Sequence, residues 1–356
     1  MKSIRSVDDV RIRLCNGGAR RAASYAVVTG LLLGLVLGGL TGALAQAPDS
    51  EERIAATVGN VPLYAGEVEW IVGRAASKTD VDDAAREVLR AEALDQLIRQ
   101  QLVLSELERQ NEACTKQELD LALARFSEEL KRQGQTLDDL CRVRHIPLAA
   151  LERSMRWRIS WNAHLANILT EDLLQEYFES HRRDFDGTRL RVAQILLPVP
   201  ADMSDDSPIR KQADGIRGNI VSGSLTFGEA ARQVSQAPSA ATGGDIGWIS
   251  RHEPMPEPFS AAAYQLQAGE VSPPVRSPLG FHLIQCLEIE PGTGTWQEVR
   301  DELATAAKRD RFDQLANAAR KKTPVEFADG QPHFRPGTKE LERTAQREKS
   351  KEAAGK

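Results

Sequence analysis

Cysteine is scarce in this chain: only Cys15, Cys114, Cys141 and Cys286 occur. Their spacings match no zinc-binding pattern, and Cys15 stands apart ahead of an apolar run. Three remaining cysteines make an odd set, so no disulfide framework is implied. Buried free thiols are the simplest reading, with a Cys114–Cys141 bridge left open. Aromatic residues are few, at 5% of 356. Excess positive charge is absent too, the formal net charge being −5. That balance gives no electrostatic footprint for nucleic acid and no general attraction to anionic lipid surfaces. His145, His164 and His181 are scattered without ligand spacing and read as surface or structural residues. Neither metal nor cofactor is implied.

Long hydrophobic runs are rare as well, with one exception. Arg11, Arg13, Arg20 and Arg21, in a basic region over residues 1–21, precede an uncharged run from Ala22 to Pro48 centred on residues 31–37. Ala43-Leu44-Ala45 supplies the small-x-small pattern that suits signal peptidase. About 20 apolar residues also span a bilayer. Residues 22–45 therefore read as a signal peptide or a membrane anchor, and both stay open. Either way the charge bias keeps the arginines in the cytoplasm and exports the rest. The expected location is the periplasm or cell envelope of a bacterium. A membrane is a partner only through this segment, if it is uncleaved.

The remainder, with 27% charged and 41% hydrophobic residues, has the make-up of a soluble protein long enough for two or three domains. After an acidic linker, residues 54–58 and 61–63 flank Gly59-Asn60 and predict a hairpin. Helices are expected from about 82 to 184. Leu94, Leu97, Ile98 and Leu102 form one apolar stripe. Thr115 to Glu118 reads as a capping box, Thr136 as a further cap, and Pro147 as the proline of a first helical turn. Leu151, Met155, Ile159, Trp161 and Leu165 mark the long helix that follows. Residues 50–185 are thus expected to form a helical domain, which carries no catalytic constellation. A helix over 296–325 presents Val299, Leu303, Ala306, Phe312 and Leu315 and is expected to pack on that domain. The dense mixture of Lys, Arg and Glu toward the end makes 328–356 a charged tail, disordered or a solvated helix.

The most informative stretch is 189–288. It opens on the apolar strand Val192 to Leu197 and closes on Gly280-Phe281-His282-Leu283-Ile284. Between them lies Gly243-Gly244-Asp245-Ile246-Gly247-Trp248. That order and spacing resemble the parvulin family of peptidyl-prolyl cis/trans isomerases over residues 187–290. Hairpin and helices followed by such a module look like the SurA and PrsA type of exported foldase. The resemblance implies an α+β chain: a SurA-N-like helical chaperone domain, and an FKBP-like domain with a small, mainly antiparallel sheet flanked by helices. It also implies partners: unfolded or nascent exported polypeptides and proline-containing segments.

The resemblance assigns the site residue by residue. Ile246, Met255 and Phe259 match the apolar residues that hold the proline ring. His282 and Ser277 match polar positions, whereas Gln194 stands where the family carries a histidine. Ala237, two residues after Ser235, stands where it carries Asp or Cys. Gln194 is expected to hydrogen-bond His282 across adjacent strands and hold its tautomer. Two function classes follow. One is an exported isomerase that assists folding, with Gln194, His282 and Ser277 as its polar network. The other is a non-catalytic chaperone whose module only binds unfolded or proline-containing segments. A structural envelope protein is a third and weaker reading.

Overall fold

The computed structural model describes residues 53–76, 81–200, 203, 205–335, 338 and 340–343. The basic region, the apolar run at 22–45 and Cys15 lie outside the described residues, as do residues 344–356 of the tail. Among the described residues no helix is long and apolar enough to cross a membrane. The fold is α+β, and the chain divides into two compact units. One takes the residues up to Asn167 and from Arg311 onward; the other is Ile168–Asp310.

In the first unit β1 (Ile54–Val58) and β2 (Val61–Tyr64) form the expected antiparallel hairpin. Its turn works because Gly59 adopts φ +60°, a conformation that costs glycine little. Helices α1 (Ala65–Ala76) and α2 (Asp83–Arg109) follow, and the Asp82 side chain caps α2 by accepting the Ala85 N–H at 2.7 Å. Helices α3 (Lys116–Arg132) and α4 (Leu137–Arg144) each open on a complete capping box, at Thr115 and Thr136. Next comes α5 (Leu148–Ile168). The stripe of Leu94, Ile98 and Leu102 is buried against Ala55, Val58, Leu63 and Val68. Cys114, Cys141 and, in the second unit, Cys286 are buried thiols.

The second unit begins with α6 (Glu171–Ser180) and α7 (Arg182–Phe185). Then come β3 (Arg189–Pro198), α8 (Ser207–Val221), α9 (Phe227–Val234), a 3-10 turn (Pro238–Thr242) and β4 (Asp245–Ile249). It continues with α10 (Glu257–Ala263), β5 (Val275–Ser277), β6 (Gly280–Glu290) and the first part of α11 (Arg300–Arg320). The sheet is wholly antiparallel, in the order β4-β3-β6-β5. Alternation along β3 feeds two cores. Leu190 and Val192 pack with Ile249, Phe259, Ile284 and Cys286 under α10. Ala193, Ile195 and Leu197 pack with Ala213, Phe227 and Ala231 of α8 and α9.

Where the chain enters and leaves this sheet, its two ends are tied together. Thr188 Oγ1 accepts the Gly292 N–H at 3.0 Å, and the Gly294 N–H donates to the Asp186 carbonyl at 2.9 Å. A side chain at Gly292 would collide with the Asp186 backbone. Tyr264 closes the same place by donating its hydroxyl to the Thr188 carbonyl at 2.6 Å.

Two expectations change. The units divide at Ile168, so α6 and α7 fall outside the helical unit, because Leu174 and Phe178 bury against Leu303 and Trp296. The tail is not structureless from residue 328. After β7 (Val325–Phe327), which pairs with β1, strands β8 (Pro332–Phe334) and β9 (Leu341–Arg343) form an antiparallel hairpin. Phe334 and Leu341 give this otherwise polar stretch an apolar pair that packs on Ala85 and Val88. His333 stacks on Phe327 at 3.9 Å. Further along α11, Phe312, Leu315 and Ala316 pack with Val103, Leu107, Trp157 and Trp161 in the first unit.

Candidate active site

Strand register assembles the polar part. Leu196 of β3 lies opposite His282 of β6, so Gln194, two residues back, is a diagonal neighbour of His282 on the same face. The turn from β5 into β6 sets Ser277 opposite Gly280. That turn needs glycine at 280, since a Cβ there would overlap the Leu197 carbonyl. The outcome is one line of hydrogen bonds. His282 Nδ1 lies 3.2 Å from Gln194 Oε1, and His282 Nε2 lies 2.6 Å from Ser277 Oγ. Ser277 Oγ also accepts the Leu279 N–H at 3.1 Å.

His282 and Ser277 are buried, and Gln194 is half-buried. Burial, with Arg276 as a lesser cause, pushes the His282 pKa down to about 4, so the ring is neutral at ordinary pH. The Phe259 ring packs perpendicular to it, with centroids 5.4 Å apart and planes at 87°. Ile246 and Met255, both partly buried, pack on the same core as Phe259. All six expected site residues thus gather on one face of the sheet, around an uncharged polar line beside an apolar cluster in which Phe259 is fully buried and Ile246 and Met255 are partly buried.

The glycines of the central motif have structural tasks. Gly244 lies at φ +88°, and a Cβ there would stand 2.6 Å from the Gln194 carbonyl oxygen. Its own carbonyl accepts the Gln194 N–H at 2.9 Å, which fixes the backbone beneath the site. Asp245, given no part by sequence reasoning, accepts the Gly247 N–H at 2.8 Å and pairs with Arg191 at 2.7 Å. Ser235 Oγ accepts the N–H groups of Leu196, at 3.1 Å, and Ala237, at 3.2 Å. Ser235 therefore ties the end of α9 to β3, and Ala237 places only a buried methyl group beside it. The Ser-x-Ala spacing was the available signal for that tie, but it does not reveal the two amide partners. Among the described residues no group of three or more His, Cys, Asp or Glu side chains could hold a metal ion.

Comparison with known proteins finds similarity over the same stretch of chain. Residues 195–288 match the rotamase family model, described as the PPIC-type PPIase domain. Chaperone SurA of Bordetella parapertussis is 43% identical over 101 residues, covering 28% of this chain and 19% of that protein. Chaperone SurA of Xanthomonas axonopodis pv. citri is 27% identical over 269 residues, 69% of this chain and 55% of the relative. Foldase protein PrsA of Geobacillus kaustophilus is 32% identical over 146 residues, 41% of this chain and 46% of the relative. The chain thus spans between 19% and 55% of the length of these relatives. It carries a parvulin-type domain, and its similarity to proteins of the SurA and PrsA type extends beyond that domain.

Proposed function

We propose that the chain is an exported peptidyl-prolyl cis/trans isomerase that assists the folding of secreted or envelope proteins. One observation carries this reading. The line from Gln194 through His282 to Ser277 runs beside the apolar cluster of Ile246, Met255 and Phe259, inside a PPIC-type domain. Rotation about a peptide bond faces a barrier of about 18–20 kcal/mol, yet no bond breaks. The site needs neither nucleophile nor metal. It has to grip the proline ring, remove the amide from water and favour the twisted geometry over the planar one. An apolar cluster suits the ring, and a buried neutral imidazole line suits the amide. Unfolded exported chains with accessible proline segments are the partners that this chemistry fits. Export rests on the arginines followed by the apolar run at 22–45.

A second reading is favoured by two residues. Gln194 replaces the histidine and Ala237 the acid or thiol that the parvulin resemblance leads one to expect. Ala237 offers a methyl group where a polarising group would stand. On that basis the domain keeps its apolar cluster for binding only, and the protein is a non-catalytic chaperone.

A coupled assay of cis-to-trans exchange on proline tetrapeptides separates the two. The chain from Asp49 onward is run beside its Gln194→His/Ala237→Asp double variant. Activity in the unaltered chain supports the isomerase. Silence there, with activity gained in the double variant, supports the chaperone.

A further inference from the structure

The hydrogens along the polar line give it a direction. Ser277 Oγ already accepts the Leu279 N–H, and among the described residues its own hydrogen finds no acceptor except His282 Nε2. Nε2 is therefore the unprotonated nitrogen of the neutral ring. Nδ1 carries the proton and donates it to Gln194 Oε1. The opposite tautomer would strand the Ser277 hydrogen in a residue only 3% exposed, an unpaired donor of the costly kind. With its oxygen held by His282, the Gln194 carboxamide turns its NH2 group away from the ring. That nitrogen has no hydrogen-bond partner among the described residues and is not among their buried unpaired atoms.

We propose that Gln194 is the catalytic donor, its free N–H directed at the prolyl nitrogen, and that His282 and Ser277 are positioning residues that fix which end of the carboxamide faces the substrate. The proposal rests on the isomerase reading above. The choice of target follows from amide chemistry. In the planar amide the nitrogen lone pair is delocalised and accepts poorly. Twisting localises it, so a donor aimed there gains strength only in the transition state. A donor aimed at the carbonyl oxygen would favour the planar form, in which that oxygen carries more charge. The side chain that replaces a histidine thus supplies a donor that no change of pH removes.

Two measurements on the full chain test this. The first is the nitrogen spectrum of 15N-histidine-labelled protein at pH 7, with the His282 signals identified by their loss in His282→Asn. A protonated Nδ1 with a bare Nε2 is expected, and the reverse tautomer would overturn the proposal. The second is the kinetics of Gln194→Glu and of Gln194→Met, which has a similar shape. Loss of a donor made only in the transition state should lower kcat about ten- to a hundredfold with KM little changed. In Gln194→Glu the loss at pH 7.5 should recover as pH falls and the carboxyl group regains a donor hydrogen; in Gln194→Met it should not. Wild-type kcat in Gln194→Glu at pH 7.5 would overturn the donor role while leaving the isomerase reading intact. A wild-type chain that binds proline peptides without turning them over would instead overturn the isomerase reading, and the donor role with it.

Discussion

The rings of Phe259 and His282 meet edge to face, their centroids 5.4 Å apart and their planes nearly perpendicular at 87°. The residue expected to hold the proline ring therefore also braces the polar line. Apolar cluster and polar line share this contact, so a change at Phe259 is felt at His282.

That contact decides how the apolar cluster should be probed. Phe259 is fully buried, and Phe259→Ala should cost about 3–5 kcal/mol, enough to confuse lost binding with lost folding. Met255 is only half-buried, so Met255→Ala should cost about 1–2 kcal/mol. It should leave thermal unfolding cooperative while weakening affinity for proline peptides several-fold. Unaltered affinity, measured by titration calorimetry, would remove Met255 from the site.

Stability should depend on pH through His282. Burial lowers its pKa from 6.5 to about 4 in the folded domain. Between those values the unfolded chain binds more protons than the folded one, so stability falls as pH drops from 6.5 toward 4 and is flat above. The full effect is on the order of 3 kcal/mol. Denaturant titrations of wild type and His282→Asn at pH 7.5 and pH 4.5 check this: the stability deficit of the variant should shrink at the lower pH. An equal deficit at both would count against a buried neutral ring.

Gly244→Ala should damage the site without touching its side chains. The new methyl group would press on the Gln194 carbonyl, in a backbone conformation that alanine resists. A loss of more than about 1 kcal/mol is expected, together with changed amide signals along β3 and β4. A neutral result would mean that β4 shifts freely.

Two arginines offer a contrast. Arg153 in α5, itself partly buried, pairs with the buried Glu67 and donates to the Pro62 carbonyl at 2.7 Å. Arg153→Met would leave the buried Glu67 carboxylate without its cation, held only by the Tyr64 N–H, costing about 3–5 kcal/mol. Arg191 bridges Asp245 and Glu288 near the surface of the other unit. Arg191→Met should cost less than about 1 kcal/mol. Comparable losses in the two variants, by chemical denaturation, would contradict the difference in burial.

What the sequence disclosed was mostly local. The capping box at Thr115, the cap at Thr136 and the Gly59-Asn60 turn carry their cause within four residues, and they form as expected. The Gln194–His282 bond spans 88 positions and was legible only through the family resemblance, because strand register is set by cores that no local pattern displays. The hairpin of β8 and β9 was missed because its apolar pair, Phe334 and Leu341, sits among charges that dominate any local average. The membership of α6 was missed for a related reason: its partner Leu303 arrives more than 120 residues after Leu174. Hydrogen-bond direction at Ser277 depends on the Leu279 amide, which every residue but proline possesses and which therefore leaves no mark in composition.

The tie between Asp186–Thr188 and Gly292–Gly294 brings the two ends of the parvulin-type domain together. A segment whose two ends meet can be spliced into a host chain at a single point, with little demand on the surrounding structure. Duplication, loss or transfer of such a cassette needs only a surface turn to receive it. The number of such domains in a chain can therefore change while each keeps its own sheet.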